Sequence, residues 1–140
     1  MTNPIPTENI ECQAFHQWLD SKGLKHHHCA NESQSGRKDA IIRNARNKRM
    51  GQSKGFPDYV VIIPSVRNIT KYASLRGSYL DGTLSTFDYR LVAIEMKRKK
   101  GGRLSAEQQD WLRCLNSAGI ETFVAKGSDE AIKWIEERLG

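Results

Sequence analysis

An unbroken run of β-branched and aromatic residues, Tyr59-Val60-Val61-Ile62-Ile63, lies between Pro57 and Pro64 and directly follows Asp58. It reads as a buried strand. A second run, Leu91-Val92-Ala93-Ile94, sits inside a strand expected over residues 89–96 and is continuous enough to be central in a sheet. A carboxylate at the mouth of such a strand is costly unless a cation, a metal or a hydrogen-bond donor compensates it. Asp58 therefore needs a partner.

The segments around these strands carry helical signals. Ile10, Ala14, Phe15, Trp18 and Leu19 share one face of a helix over residues 8–22, with Thr7 or Asn9 as cap and Gly23 at its end. Residues 24–30 form a short strand candidate carrying His26-His27-His28, and a polar loop covers 31–36. Residues 37–50 hold some helix with few apolar anchors. Ser105-Ala106-Glu107-Gln108 has the capping-box pattern, followed by a stripe of Trp111, Leu112 and Leu115 and a terminating Gly119. A strand over 120–125 leads to a last helix, capped by Ser128, that carries Ala131, Ile132, Ile135 and Leu139. Residues 64–87 are rich in Ser, Thr, Gly and Tyr and too long for a hairpin loop, so they read as an insertion. Strands separated by helices give an α/β domain with a mixed sheet, and 140 residues suit a single domain spanning 1–140.

The formal charge of +6 is concentrated. Arg37, Lys38, Arg43, Arg46, Lys48, Arg49 and Lys54 face a single acid, Asp39, across residues 37–54, and Arg98, Lys99, Lys100 and Arg103 form a second cluster. Two basic patches suit a polyanionic partner, because cations that neutralise phosphates release condensed counterions. Three scattered cysteines point to a reducing compartment. With neither a signal-peptide pattern nor an apolar run of bilayer length, the chain is expected in the cytoplasm, with no membrane association.

Glu95-Met96-Lys97 ends the second strand, and side-chain alternation puts Glu95 and Lys97 on one face. An Asp and a Glu at the ends of neighbouring strands suit a shared hard cation, and Lys97 is placed to steady a water or the charge developing on phosphorus. The three histidines do not make a zinc site by themselves, since strand neighbours point to opposite faces and no second ligand cluster is visible; His28 is expected along a substrate groove.

Gly55-Phe56-Pro57-Asp58, Glu95-Met96-Lys97 and Leu104-Ser105-Ala106-Glu107-Gln108 together resemble the PD-(D/E)XK nucleases, and more narrowly the virus-type replication-repair (VRR-NUC) domain. The likeness also takes in Glu11, the Asn31-Glu32 pair, Gly51 and the closing strand and helix. It implies a restriction-endonuclease-like αβββαβ core, with a mixed four-stranded sheet flanked by helices, here interrupted by the insertion at about 64–87. It implies Mg²⁺- or Mn²⁺-dependent cutting of structured DNA such as four-way (Holliday) junctions, often by homodimers of phage or bacterial origin, with no small-molecule cofactor. Carried over, Asp58 and Glu95 are metal ligands with the Met96 carbonyl as a third, and Lys97 is the catalytic lysine. Gln108 orients the lysine or the water, the alternative being that it serves only as a capping-box partner. Glu11 reaches the metal from the first helix, with Glu8 as its rival. The alternatives are a catalytically silent nucleic-acid-binding module and a sequence-specific restriction-type nuclease, for which the insertion would supply the groove-reading element.

Overall fold

A computed structural model describes residues 4–29, 36–65 and 88–139. The described elements run α1 (Glu8–Ser21), β1 (His26–His28), α2 (Lys38–Arg49), β2 (Tyr59–Ser65), β3 (Asp88–Lys97), α3 (Ala106–Ser117), β4 (Glu121–Lys126) and α4 (Ser128–Leu139). The sheet order is β1-β2-β3-β4, antiparallel for the first two pairs and parallel for β3 with β4. This is the expected mixed four-stranded α/β core. The Asn31-Glu32 pair and the insertion from residue 66 onward lie outside the described residues.

Register places alternate residues of the two apolar runs side by side. Tyr59 pairs with Ile94 and Val61 with Val92, while Ile94 and Met96 pair with Phe123 and Ala125. These residues share one face, where they form a single core with Phe15 and Leu19 of α1 and Ala131, Trp134 and Ile135 of α4. Phe15 and Leu19 are fully buried, each contributing about 1.5–3 kcal/mol of apolar burial. The alternate residues of β3 face the other way, where Leu91 is exposed and Glu95 meets Gln108 of α3.

Four details differ from the sequence expectation. β2 continues through Pro64 and Ser65, which pair with Tyr89 and Asp88, so the insertion starts two residues later. Proline is tolerated there because Ile62 N–H already points to Lys25 of the β1 side, and β1 ends before Pro64 would need a partner. β1 has only three residues. On α1, Ile10 is 54% exposed and the buried stripe is Glu11, Phe15 and Leu19, so a carboxylate occupies the core-facing position one turn before Phe15. Finally, Ser128 is the first residue of α4 rather than its cap; the Gly127 carbonyl accepts the first helical bond, from Ala131 N–H. Thr7, by contrast, does cap α1, its hydroxyl accepting from Ile10 N–H at 3.3 Å. Among the described residues no helix is long and apolar enough to cross a membrane.

Candidate active site

The Gly-Phe-Pro-Asp stretch is built by contact with α3. Gly55 has φ +88°, and a Cβ there would lie 2.6 Å from the Glu107 carbonyl carbon and 2.7 Å from the Gln108 nitrogen. Only glycine allows both that conformation and that approach. The next residue, Phe56, packs edge-on against Trp111 with ring centroids 5.0 Å apart. Pro57 is fully buried. The loop is thereby seated on the first turns of α3, and Asp58 is delivered beside β3.

Asp58 is 4% exposed, and its Oδ2 accepts the Met96 N–H at 2.7 Å. Glu95 is 1% exposed. Its Oε1 accepts from Gln108 Nε2 at 2.7 Å and lies 3.3 Å from Lys97 Nζ. Its Oε2, also buried, has no hydrogen-bond donor among the described residues. Burial, and then the neighbouring Asp58 charge, push the Glu95 carboxyl up to about 8. Burial likewise raises Asp58, against the opposing pull of the Met96 N–H, His28 and Lys97. Two carboxylates this close cannot both ionise cheaply, so one retains a proton unless a cation takes its place.

Gln108 closes the capping box and also touches the acid pair. Its Oε1 accepts from Ser105 N–H at 2.9 Å, and its own N–H donates to Ser105 Oγ at 3.1 Å, closing the capping box. The amide nitrogen that remains reaches Glu95. The cap thus fixes a side chain that holds a buried carboxylate.

The two acids of α1 are placed differently. Glu11 is 3% exposed, its Oε2 accepts from Ser128 N–H at the start of α4 at 2.5 Å, and its Oε1 lies 3.9 Å from Lys99 Nζ. Both oxygens are engaged away from Asp58 and Glu95. Glu8, one turn earlier and half-buried, is raised by burial first and then by the charge of Asp58, with Lys97 and Arg98 pulling the other way. The residue that shares the electrostatic environment of the acid pair is therefore Glu8.

His28 faces the same site, where its charge lowers Asp58 and its ring tilts over Tyr59 at 4.9 Å. Burial and Asp58 push the Cys12 thiol up to about 12, consistent with an inert cysteine; Cys12, Cys29 and Cys114 are all unbridged. Arg37, Lys38, Arg43, Arg46, Lys48, Arg49 and Lys54 are all exposed on α2 and its flanks, a helix that buries only Ala40. In the second cluster Arg98, Lys99, Lys100 and Arg103 are all exposed, and Lys99 also sits between Glu11 and Asp129, 3.5 Å from the latter. The backbone of Met96 is held against Asp58 through its N–H, while its side chain is buried in the core.

The donor set suits a hard divalent cation. Asp58 and Glu95 offer carboxylate oxygens, and the unpartnered Glu95 Oε2 is the buried acceptor such an ion would satisfy. The structure brings together Asp58, Glu95, Lys97 and Gln108, all singled out in the sequence; the seating contacts of Gly55, Phe56 and Trp111 were missed, although a glycine-aromatic-proline triplet before a strand was the available signal.

The profile of the VRR-NUC domain matches residues 6–129. A solved structure described as a VRR_NUC domain protein superposes with a TM-score of 0.64 at 19% identity, covering 99% of this chain and 91% of that one, and so shares its fold. No curated protein matches.

Proposed function

Because the chain belongs to the VRR-NUC family, a nuclease family of the PD-(D/E)XK superfamily, we propose that it is a metal-dependent endonuclease hydrolysing DNA phosphodiester bonds, selective for branched or four-way junction DNA. The observation that carries this reading is the buried Asp58–Glu95 pair with one carboxylate oxygen left without a donor and Lys97 Nζ beside it. Mg²⁺ or Mn²⁺ would be held by Asp58, Glu95 and the Met96 carbonyl, and would supply Lewis-acid stabilisation of charge building on the scissile phosphate.

The remaining work falls to the chain's own groups. Lys97 places an ammonium next to the acid pair, where it orients the attacking water and offsets developing negative charge. Gln108 is a positioning residue: it touches Glu95 and is itself immobilised by the Ser105 cap. Glu8 takes the role that the family resemblance would give to Glu11, because Glu11 is committed to α4 and Lys99. The exposed cations of α2, with Arg98, Lys100 and Arg103, hold the DNA backbone. Each site cuts one strand, so symmetric incision of a two-fold junction calls for a homodimer with two sites related by a two-fold axis.

The test is a cleavage assay on four-way junction, flap, single-stranded and duplex DNA with Mg²⁺, Mn²⁺ or EDTA, run beside light scattering. Junction cutting by a dimer, dependent on metal and stopped by chelation, is expected. Cleavage that survives EDTA overturns the metal-dependent mechanism. Tight junction binding without cutting in any divalent metal replaces the enzyme with a silent binding module.

A further inference from the structure

Away from the acid pair, three side chains from two elements converge between α1 and β1. His16 and Asp20, one turn apart on α1, meet His26 of β1. The nearest nitrogens of the two rings, His16 Nδ1 and His26 Nε2, are 2.7 Å apart; Asp20 oxygens lie 3.4 Å from His16 Nε2 and 3.8 Å from His26 Nε2. The His26 side chain is 8% exposed, whereas those of His16 and Asp20 are 52% and 64% exposed.

His26 is oriented from behind. Its Nδ1 lies 2.7 Å from the Leu24 carbonyl, which can only accept, so Nδ1 carries the proton. In the neutral ring Nε2 then presents a lone pair towards His16 and Asp20. This backbone anchor is the arrangement that fixes a ligating histidine in the correct tautomer. We propose that His16, Asp20 and His26 form a second metal site, distinct from the acid pair, that takes a transition-metal dication of the Zn²⁺ class. Two imidazoles and one carboxylate favour such an ion over Mg²⁺, which prefers an all-oxygen shell. The ion takes the place of the proton between the two rings. Metal–nitrogen bonds of about 2.0–2.1 Å set tetrahedral ligands roughly 3.3 Å apart, so the rings open by about half an ångström, which the exposed His16 side chain accommodates. The histidine run alone did not indicate this site because its other two ligands lie on the preceding helix, at positions i and i+4.

The location gives the ion a function. α1 and β1 flank a groove lined by Asn9, Cys12, Gln13, His16, His28 and Tyr59, and His28 connects that groove to Asp58. An ion bound by both elements would clamp the groove's walls together and stiffen one approach to the acid pair.

The experiment uses the full chain carrying Asp58→Asn and Glu95→Gln, so that its outcome is independent of the catalytic reading. In excess Mg²⁺ the protein is titrated with Co²⁺, followed by its visible absorption, and then with Zn²⁺ as competitor. A single saturable Co²⁺ per chain, displaced by Zn²⁺ and weakened roughly tenfold or more by His16→Ala and by Asp20→Asn, is expected. Both substitutions change exposed side chains, and circular dichroism checks that each variant stays folded. Absence of saturable Co²⁺ binding, or binding that neither substitution alters, overturns the proposal; the first result leaves a proton-bridged histidine pair, and the second assigns the ion to other ligands.

Discussion

Glu11 and Glu95 are equally hidden carboxylates, 3% and 1% exposed, yet their surroundings are opposite. Glu11 is answered by the protein itself, with the first N–H of α4 on one oxygen and Lys99 facing the other. Glu95 receives Gln108 and Lys97 on one oxygen and no donor among the described residues on the other. Buried charge alone therefore does not mark a reactive site. The distinguishing feature of Glu95 is an oxygen without a donor beside a second buried carboxylate, a combination that a bound cation would complete.

The largest effect that separates the two acids is on catalysis. Asp58→Asn, Glu95→Gln and Lys97→Ala should each lower the single-turnover cleavage rate by about a hundredfold to a thousandfold or more, the scale of losing one electrostatic stabiliser, while DNA binding in the absence of metal holds or tightens. Wild-type cleavage by Glu95→Gln would erase the distinction. Next in size is the support beneath the site: Gly55→Ala forces a Cβ into the Glu107 backbone at φ +88° and should cost on the order of 2–4 kcal/mol in denaturant unfolding. A neutral Gly55→Ala would mean that the loop is not seated as described.

Glu11→Ala sharpens the contrast further. It strands the Ser128 N–H and should cost about 1–3 kcal/mol of stability, whereas Glu8→Gln should leave stability nearly unchanged and slow cleavage. The reverse pattern would return the catalytic role to Glu11. The smallest effect belongs to the surface. Arg46→Ala should weaken DNA binding without sequence preference and reduce the salt slope by about one unit, with the rate at saturating enzyme spared.

The sheet was legible from the sequence because both central strands wrote continuous apolar runs, although only one face of each run is buried throughout and Ile62 and Leu91 are exposed on the other. The acid pair was legible for the opposite reason: Asp58 and Glu95 interrupt those runs where no core residue would. What escaped was long-range. Glu11 sits in a helical stripe where an apolar residue belongs, and its partner Ser128 is 117 positions away, so no local pattern distinguishes it from a surface glutamate. Glu8 is its rival in the sequence, but the influence of Asp58 on it, from 50 residues away in sequence, decides between them only in the folded chain. Pro64 suggested the end of a strand, because sequence does not reveal that β1 stops short and leaves that position without a hydrogen bond to lose.

The most direct test of the acid-pair account is stabilisation by Mg²⁺ as a function of pH. Without a cation, folded Glu95 keeps its proton up to about 8, whereas in the unfolded chain it loses it near 4.5. Between these values the folded state binds more protons, so metal-free stability should fall as pH rises, by a few kcal/mol in order of magnitude. A cation that replaces that proton should stabilise little at pH 5 and progressively more towards pH 8 to 9. Thermal unfolding with and without Mg²⁺ should show that rising gain in the wild type and in Glu11→Gln, and none at any pH in Glu95→Gln. Equal Mg²⁺ stabilisation of Glu95→Gln and wild type, or a gain that does not change with pH, would contradict it.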